Sequence, residues 1–332
     1  MTTPIHVTQL TKRYDTVTAL ADISFEVRAG EIMGFLGPNG AGKTTTLRIL
    51  TGMLAPTAGT VLIDGLEVSA RPLDVRRRIG YLPEHVALYP ELRVEEYLRY
   101  RACLKGVPRR ARRSRVQEAL AQCALTDVRR TLIGRLSRGY RQRVGLADCL
   151  IAKPPILILD EPTVGLDPHQ IRQTRELIKQ LGERATILLS THILPEVEAL
   201  CHRVTIIDKG RIIAVDTPAQ LGERLRGSQV VRVELCGEPS AIEPALRGLP
   251  GVARVSLEGR ADLPAAPESD QRGAAQAGGA AVFQVEAGRG RDIREAIFQL
   301  AVERQWPLRE LSTLRASLEE VFIHLTTKER EG

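Results

Sequence analysis

No stretch of the 332-residue chain reaches the ~18 unbroken apolar residues that a membrane-spanning helix requires. The longest apolar runs, such as Ile156 to Leu159, are the length of a strand. Met1-Thr2-Thr3-Pro4 has neither a basic start nor an apolar core, so no secretory signal is expected. A cytosolic protein is expected, at a membrane only where a partner holds it there. Cysteine is sparse as well: Cys103, Cys123, Cys149, Cys201 and Cys236 lie far apart, with no C-x-x-C pair and no His at metal spacing. That pattern speaks against a zinc or dithiol motif and for small buried hydrophobes in a reducing compartment.

The net charge of +7 is modest, and its densest source is Arg109-Arg110-Ala111-Arg112-Arg113-Ser114-Arg115. Such a run can meet nucleic acid or an anionic membrane, but a solvated helix face is its commoner use. No aromatic residue interleaves it, which counts against single-strand stacking, and no nucleic-acid partner is expected.

The length suggests about two domains at ~150 residues each, and the 43% hydrophobic share is ordinary for a globular protein. Strands are predicted at Ile5 to Val7, Ala21 to Val27, Glu31 to Leu36, Gly59 to Ile63 and Ile79 to Leu82, with a helix over Thr44 to Thr51. From about Pro90 to Leu150 apolar residues recur three and four apart (Val94, Tyr97, Leu98), the spacing of helices. Strands resume at Ile156 to Leu159, Thr186 to Leu189 and Val204 to Ile207. Parallel strands alternating with helices predict an α/β sheet with an inserted helical block, about 88–150.

A boundary is predicted near Leu221 to Gln229, giving a first domain over 1–222 and a second over 228–332. In the second, the predicted order is β-α-β, then β-α-β, with a flexible Ala-, Gly- and Pro-rich segment at about 259–280. This order is compatible with a small ferredoxin-like α+β module, closed by a helix over Leu318 to Leu325. No catalytic constellation is visible there, so packing or dimer contact is its expected use.

The chemistry concentrates in the first domain. Gly37-Pro38-Asn39-Gly40-Ala41-Gly42-Lys43-Thr44 fits G-x-x-x-x-G-K-[ST] between a strand and a helix. Glycines let backbone N–H groups converge on phosphate oxygens, and the helix N-terminus adds its positive end. Lys43 is expected to reach the β- and γ-phosphates and Thr44 to ligate Mg²⁺, with Thr45 completing the nucleotide-binding set. Ile156 to Leu159 ends in Asp160-Glu161. Asp160 is expected to hold Mg²⁺ with Thr44, and Glu161 to polarise the attacking water as general base. Leu136-Ser137-Arg138-Gly139-Tyr140, followed by Gln142 and Arg143, reads by itself as a capped helix start.

Together, the phosphate loop, the Leu-Ser-x-Gly segment, the Asp-Glu strand end, Gly165-Leu166-Asp167 and Ser190-Thr191-His192 resemble the ATP-binding subunit of ABC transporters. The resemblance covers Ile5 to about Leu221 and implies a P-loop NTPase core. It further implies that Tyr14 stacks on adenine and that Ser137 and Gly139 contact the γ-phosphate held by a second protomer. Asp167 would communicate across that dimer, and His192 would touch the γ-phosphate. Thr191-His192-Ile193-Leu194-Pro195-Glu196-Val197-Glu198 and Ser317-Leu318-Glu319-Glu320-Val321-Phe322 are similar to the gliding-motility or multidrug exporter branch.

In the loop joining core to helical block the family usually has Gln. Here Tyr81-Leu82-Pro83-Glu84 offers Glu84, which could still sense Mg²⁺ or water. The signature also carries Arg138 and Tyr140 where Gly and Gln are commonest.

The resemblance implies an ATPase with ATP and Mg²⁺, and a second copy of the same or a related subunit as partner. It further implies an ABC-2-type membrane permease that holds the chain on the cytoplasmic face of the membrane. Two ATPs would be sandwiched between protomers, and hydrolysis would open the dimer. Relatives acting on ribosomes usually carry two cassettes, and those acting on DNA carry a long coiled coil. One phosphate loop and no sustained heptads favour transport.

Overall fold

The structure, a computed structural model, describes residues 3–225, 230–261, 280–288 and 292–314. It divides into two compact units, Met1–Pro218 and Ala219–Gly332. No helix among the described residues is long and apolar enough to cross a membrane.

In the first unit, β1 (Ile5–Tyr14) and β2 (Val17–Val27) form a hairpin across Asp15 and Thr16, with Asp15 in the left-handed region at φ +43°. The central β3 (Ile32–Leu36) leads into α1 (Lys43–Leu50). Then come β4 (Ala58–Ile63), β5 (Leu66–Glu67), α2 (Pro72–Arg78) and β6 (Ile79–Leu82). The helical block holds α3 (Val94–Leu104), α4 (Arg109–Gln122), a 3-10 turn at Ile133–Arg135 and α5 (Arg138–Leu150). The chain returns through β7 (Ile156–Asp160), α6 (Pro168–Gly182), β8 (Thr186–Thr191), α7 (Leu194–Leu200), β9 (Arg203–Asp208) and β10 (Arg211–Asp216).

These strands make two sheets where the sequence predicts one. The order β10-β9-β3-β8-β7-β6 is parallel except at the β10 edge, whereas β2-β1-β4-β5 is wholly antiparallel. The second sheet escapes a periodicity reading because β1 is mostly polar beyond Val7, with Leu10 its one buried residue there, and its pairing with β2 carries register shifts. The parallel strands β3, β7 and β8 are buried at every residue, as strands covered on both faces must be.

Inside the helical block, Asp148 of α5 receives a two-pronged ion pair from Arg101 of α3, at 3.0 and 2.8 Å, and a third contact from Lys105 at 3.1 Å. The arginine run opens α4. There Arg112 binds the Val107 carbonyl and Arg109, Arg110 and Arg113 are exposed, which agrees with a solvated face.

The second unit follows α8 (Pro218–Leu225) with β11 (Val230–Cys236), α9 (Pro239–Arg247), β12 (Val252–Ala261), β13 (Ala280–Ala287), α10 (Arg294–Glu303) and β14 (Leu308–Leu314). The antiparallel order β14-β11-β13-β12 with this β-α-β-β-α-β succession is the ferredoxin-like arrangement. Val231, Val233, Leu235, Phe283 and Val285 form its core with Ile242 and Leu246 of α9 and Ile297 of α10; Trp306 packs at its margin. On the sheet, Arg232 bridges Glu258, at 2.9 Å, and Glu310. Most of the predicted 259–280 segment, and the helix predicted at Leu318 to Leu325, lie outside the described residues.

Candidate nucleotide site

The site is built where β3, β8 and β7, neighbours in that order, present their carboxyl ends. From β3 the chain turns through Gly37 to Gly42 into α1. A Cβ on Gly37 would stand 2.3 Å from the Ile207 carbonyl oxygen. Gly42 has φ +107°, and its Cβ would stand 2.7 Å from Leu20 Cδ2. The loop thus lies too close to β2 and β9 for any side chain at these positions, which leaves its backbone free to face outward. Lys43 curls back over it, donating to the carbonyls of Gly37 (2.7 Å) and Pro38 (3.3 Å).

At the end of β7, the buried Asp160 accepts a hydrogen bond from Ser190 Oγ at 2.6 Å through Oδ1. Its Oδ2 is buried with no hydrogen-bond partner among the described residues. Burial pushes this carboxyl above its ordinary range. The Ser190 bond opposes the shift, the charges of Glu161 and Glu84 add to it, and the nearby Thr44 hydroxyl again opposes it.

Glu161 follows at φ +49°, a left-handed conformation that is uncommon for Glu. Its N–H donates to the Ser190 carbonyl at 3.0 Å. Glu161 Oε1 lies 3.3 Å from Lys43 Nζ, and Oε2 lies 2.9 Å from His192 Nδ1 at the end of β8. One carboxylate therefore links the phosphate loop to the histidine.

Pro38, Asn39, Gly40, Gly42, Lys43, Thr44 and Thr45 share a cleft of about 420 Å³ with Glu84, Glu161 and His192. Glu84 sits at its rim, with His85 Nδ1 3.9 Å away. The arrangement offers backbone amides and a cation to a polyphosphate, an unpaired buried oxygen to a divalent cation, and a buried carboxylate paired with an exposed histidine to water.

Residues 20–164 match the family model described as ABC transporter. Over 259 residues the chain is 35% identical to the linearmycin resistance ATP-binding protein LnrL of Bacillus subtilis, covering 77% of this chain and 83% of LnrL. The chain belongs to the ATP-binding proteins of ABC transporters. It is 34% identical to the daunorubicin resistance ATP-binding protein DrrA3 of Streptomyces coeruleorubidus over 99% of this chain and 97% of that one. Among solved structures, a dimeric post-hydrolysis state of the ATP-binding cassette MJ0796 bound to ADP and Pi superimposes with a TM-score of 0.60. The two share 27% identity over 64% of this chain and 98% of that one. The protein is thus an ATP-binding, ATP-hydrolysing P-loop subunit, and cassettes of this ABC family dimerise and work with membrane permeases.

Within this ABC fold, four residues named from the sequence stand apart from the cleft. Tyr14 is at the end of β1, 45% exposed, with Lys12 Nζ 5.0 Å from its ring centre. Ser137 caps α5 by accepting the Tyr140 N–H at 3.4 Å. Gly139 is covered by Gln170, and Asp167 caps α6 by accepting the Gln170 N–H at 2.8 Å. Gly37 and Ala41 underlie the loop.

Three residues that the motifs contain acquire a part only from their contacts in the fold. Ser190 is the partner of Asp160, Arg138 packs its guanidinium on Gly165, and Glu196 is buried behind the histidine. The one available signal for Glu196 is a carboxylate set among the apolar contacts Leu194, Val197 and Leu200 of α7.

Proposed function

We propose that Glu161 is the general base of ATP hydrolysis and that His192 orients it and contacts the γ-phosphate. The observation that carries this reading is the Glu161 carboxylate held between Lys43 and His192 at the mouth of the phosphate loop. Lys43, with the amides of residues 38–45, takes the β- and γ-phosphates. The buried Asp160 oxygen without a partner, beside the Thr44 hydroxyl, suits Mg²⁺, with Glu84 as a further oxygen donor. Bound there with ATP, Mg²⁺ would neutralise phosphate charge.

Ser137 and Gly139 stand outside their own cleft, which fits a role at the γ-phosphate of a second protomer, with Asp167 beside that interface and Tyr14 against adenine. The site is then one half of a composite. We further read residues 1–222 as the nucleotide-binding domain and 228–332 as an accessory domain, a reading that the two compact units support. Similarity to resistance ATP-binding proteins supports export through an ABC-2-type permease, which would hold the chain at the cytoplasmic face of the membrane. Glu161→Gln in the full chain is expected to give an ATP-dependent dimer in size-exclusion chromatography, with turnover reduced by ~100-fold or more. Full turnover in that variant would remove Glu161 as base.

A further inference from the structure

Two chain segments carry the Glu161–His192 pair, and one buried side chain ties them together. Glu196 has no exposed surface. Its Oε2 accepts a hydrogen bond from the Thr191 hydroxyl at 2.9 Å, and its Oε1 accepts one from the Thr163 hydroxyl. Thr191 immediately precedes His192, and Thr163 follows Glu161 by two residues. The Thr191 oxygen also accepts the Ile193 N–H at 3.0 Å, so the backbone beyond His192 is bound to the same hydroxyl. Arg175 of α6 faces the carboxylate at 3.7 Å.

A wholly buried carboxylate is a costly way to fill space. Leu194, Val197 and Leu200 already supply the apolar contacts of α7, and an apolar residue at 196 could join them without desolvation. What it could not do is bind hydroxyls on two separate segments. Glu161 needs such holding, because its φ of +49° persists only under constraint from its surroundings. The Ser190 carbonyl pins it at its own N–H, and the Glu196 clasp fixes the turn two residues later.

We propose that Glu196 is a positioning residue for ATP hydrolysis, setting the Glu161–His192 contact through Thr163 and Thr191. It touches no reacting atom. The inference rests on the assignment of Glu161 as general base.

The test compares E196L, E196Q, T191V, H192A and the H192A/E196L double variant of the full chain. Steady-state Mg-ATP turnover and affinity for a fluorescent ATP analogue are measured for each. E196L is expected to lower kcat by ~10-fold or more, since small misplacements of catalytic groups are that expensive, while KM and nucleotide affinity stay within about twofold. E196Q keeps the volume and one carbonyl acceptor and recovers most of the rate. In the H192A background E196L should cost less than about threefold more, because the pair is already broken.

The same factor in both backgrounds, or nucleotide affinity falling in parallel with kcat, would show a packing role and overturn the proposal. So would unchanged turnover in E196L. T191V removes one arm at nearly constant volume and should lose an intermediate amount. If E196L does not fold, T191V with T191V/H192A carries the same comparison, and an unaffected T191V overturns the proposal. Glu161→Gln separates the two readings. Full activity in that variant sinks the base assignment, whereas its inactivity beside an unaffected E196L sinks only the role of Glu196.

Discussion

Lys43 Nζ lies 3.3 Å from Glu161 Oε1, with both side chains almost wholly buried. The two signature charges of the site therefore neutralise each other in the fold, and each is a structural partner as well as a chemical one. Removing one leaves the other buried without its ion-pair partner. Lys43→Ala should destabilise the protein by about 3 kcal/mol in urea unfolding, and adding Glu161→Gln should restore most of that loss. Simple additivity of the two changes would mean that the pair contributes nothing to the fold.

A second prediction concerns alkaline pH. Burial pushes the thiols of Cys149 and Cys201 up to about 12, and it raises Cys123 as well. An unfolded thiol titrates near ~8.5. Their contribution to stability is therefore fully present below that pH and is lost as pH rises toward the folded values. Between pH 9 and 10 each thiol should remove up to ~1.4 kcal/mol per unit. Urea unfolding at several pH values should show Cys149→Ala flattening this decline by about that amount, and an unchanged slope would contradict the burial argument.

The third concerns the loop that opens α6. Gly165 has φ +73°, and a Cβ there would stand 2.3 Å from Arg138 Cζ. Gly165→Ala must therefore accept a left-handed alanine, at about 1 kcal/mol, and displace the arginine beside Ser137 and Gly139. Stability is expected to fall by that order and turnover to fall further, with nucleotide affinity within about twofold. Adding Arg138→Ala should relieve the collision but not the backbone cost. Turnover equal to the parent in Gly165→Ala would show that the arginine's seat is immaterial.

Much of the site is legible in the sequence because its parts are local. A glycine loop after an apolar run, and carboxylates after another, name themselves by spacing along one chain segment. Parallel strands then bring Lys43, Glu161 and His192 to one edge, and that adjacency follows from a β3-β8-β7 order that no spacing encodes. The contacts of Ser190 and Glu196 are illegible for the same reason, since each acts on a partner donated by another strand or helix. In the fold, the antiparallel sheet is hard to read from the sequence because β1 pairs through several register shifts and its burial stops alternating beyond Val7. The second unit is more legible. Its strands β11 and β13 alternate or run apolar, and its two helices show clear amphipathic spacing around Ile242, Leu246 and Ile297.

In that unit β11 and β14 lie side by side, with Val230 opposite Leu314. The strand that admits the chain and the strand that releases it thus share one end of the sheet. Its sheet therefore takes in the chain and gives it up at one and the same end, as a loop does and a link in a rod does not.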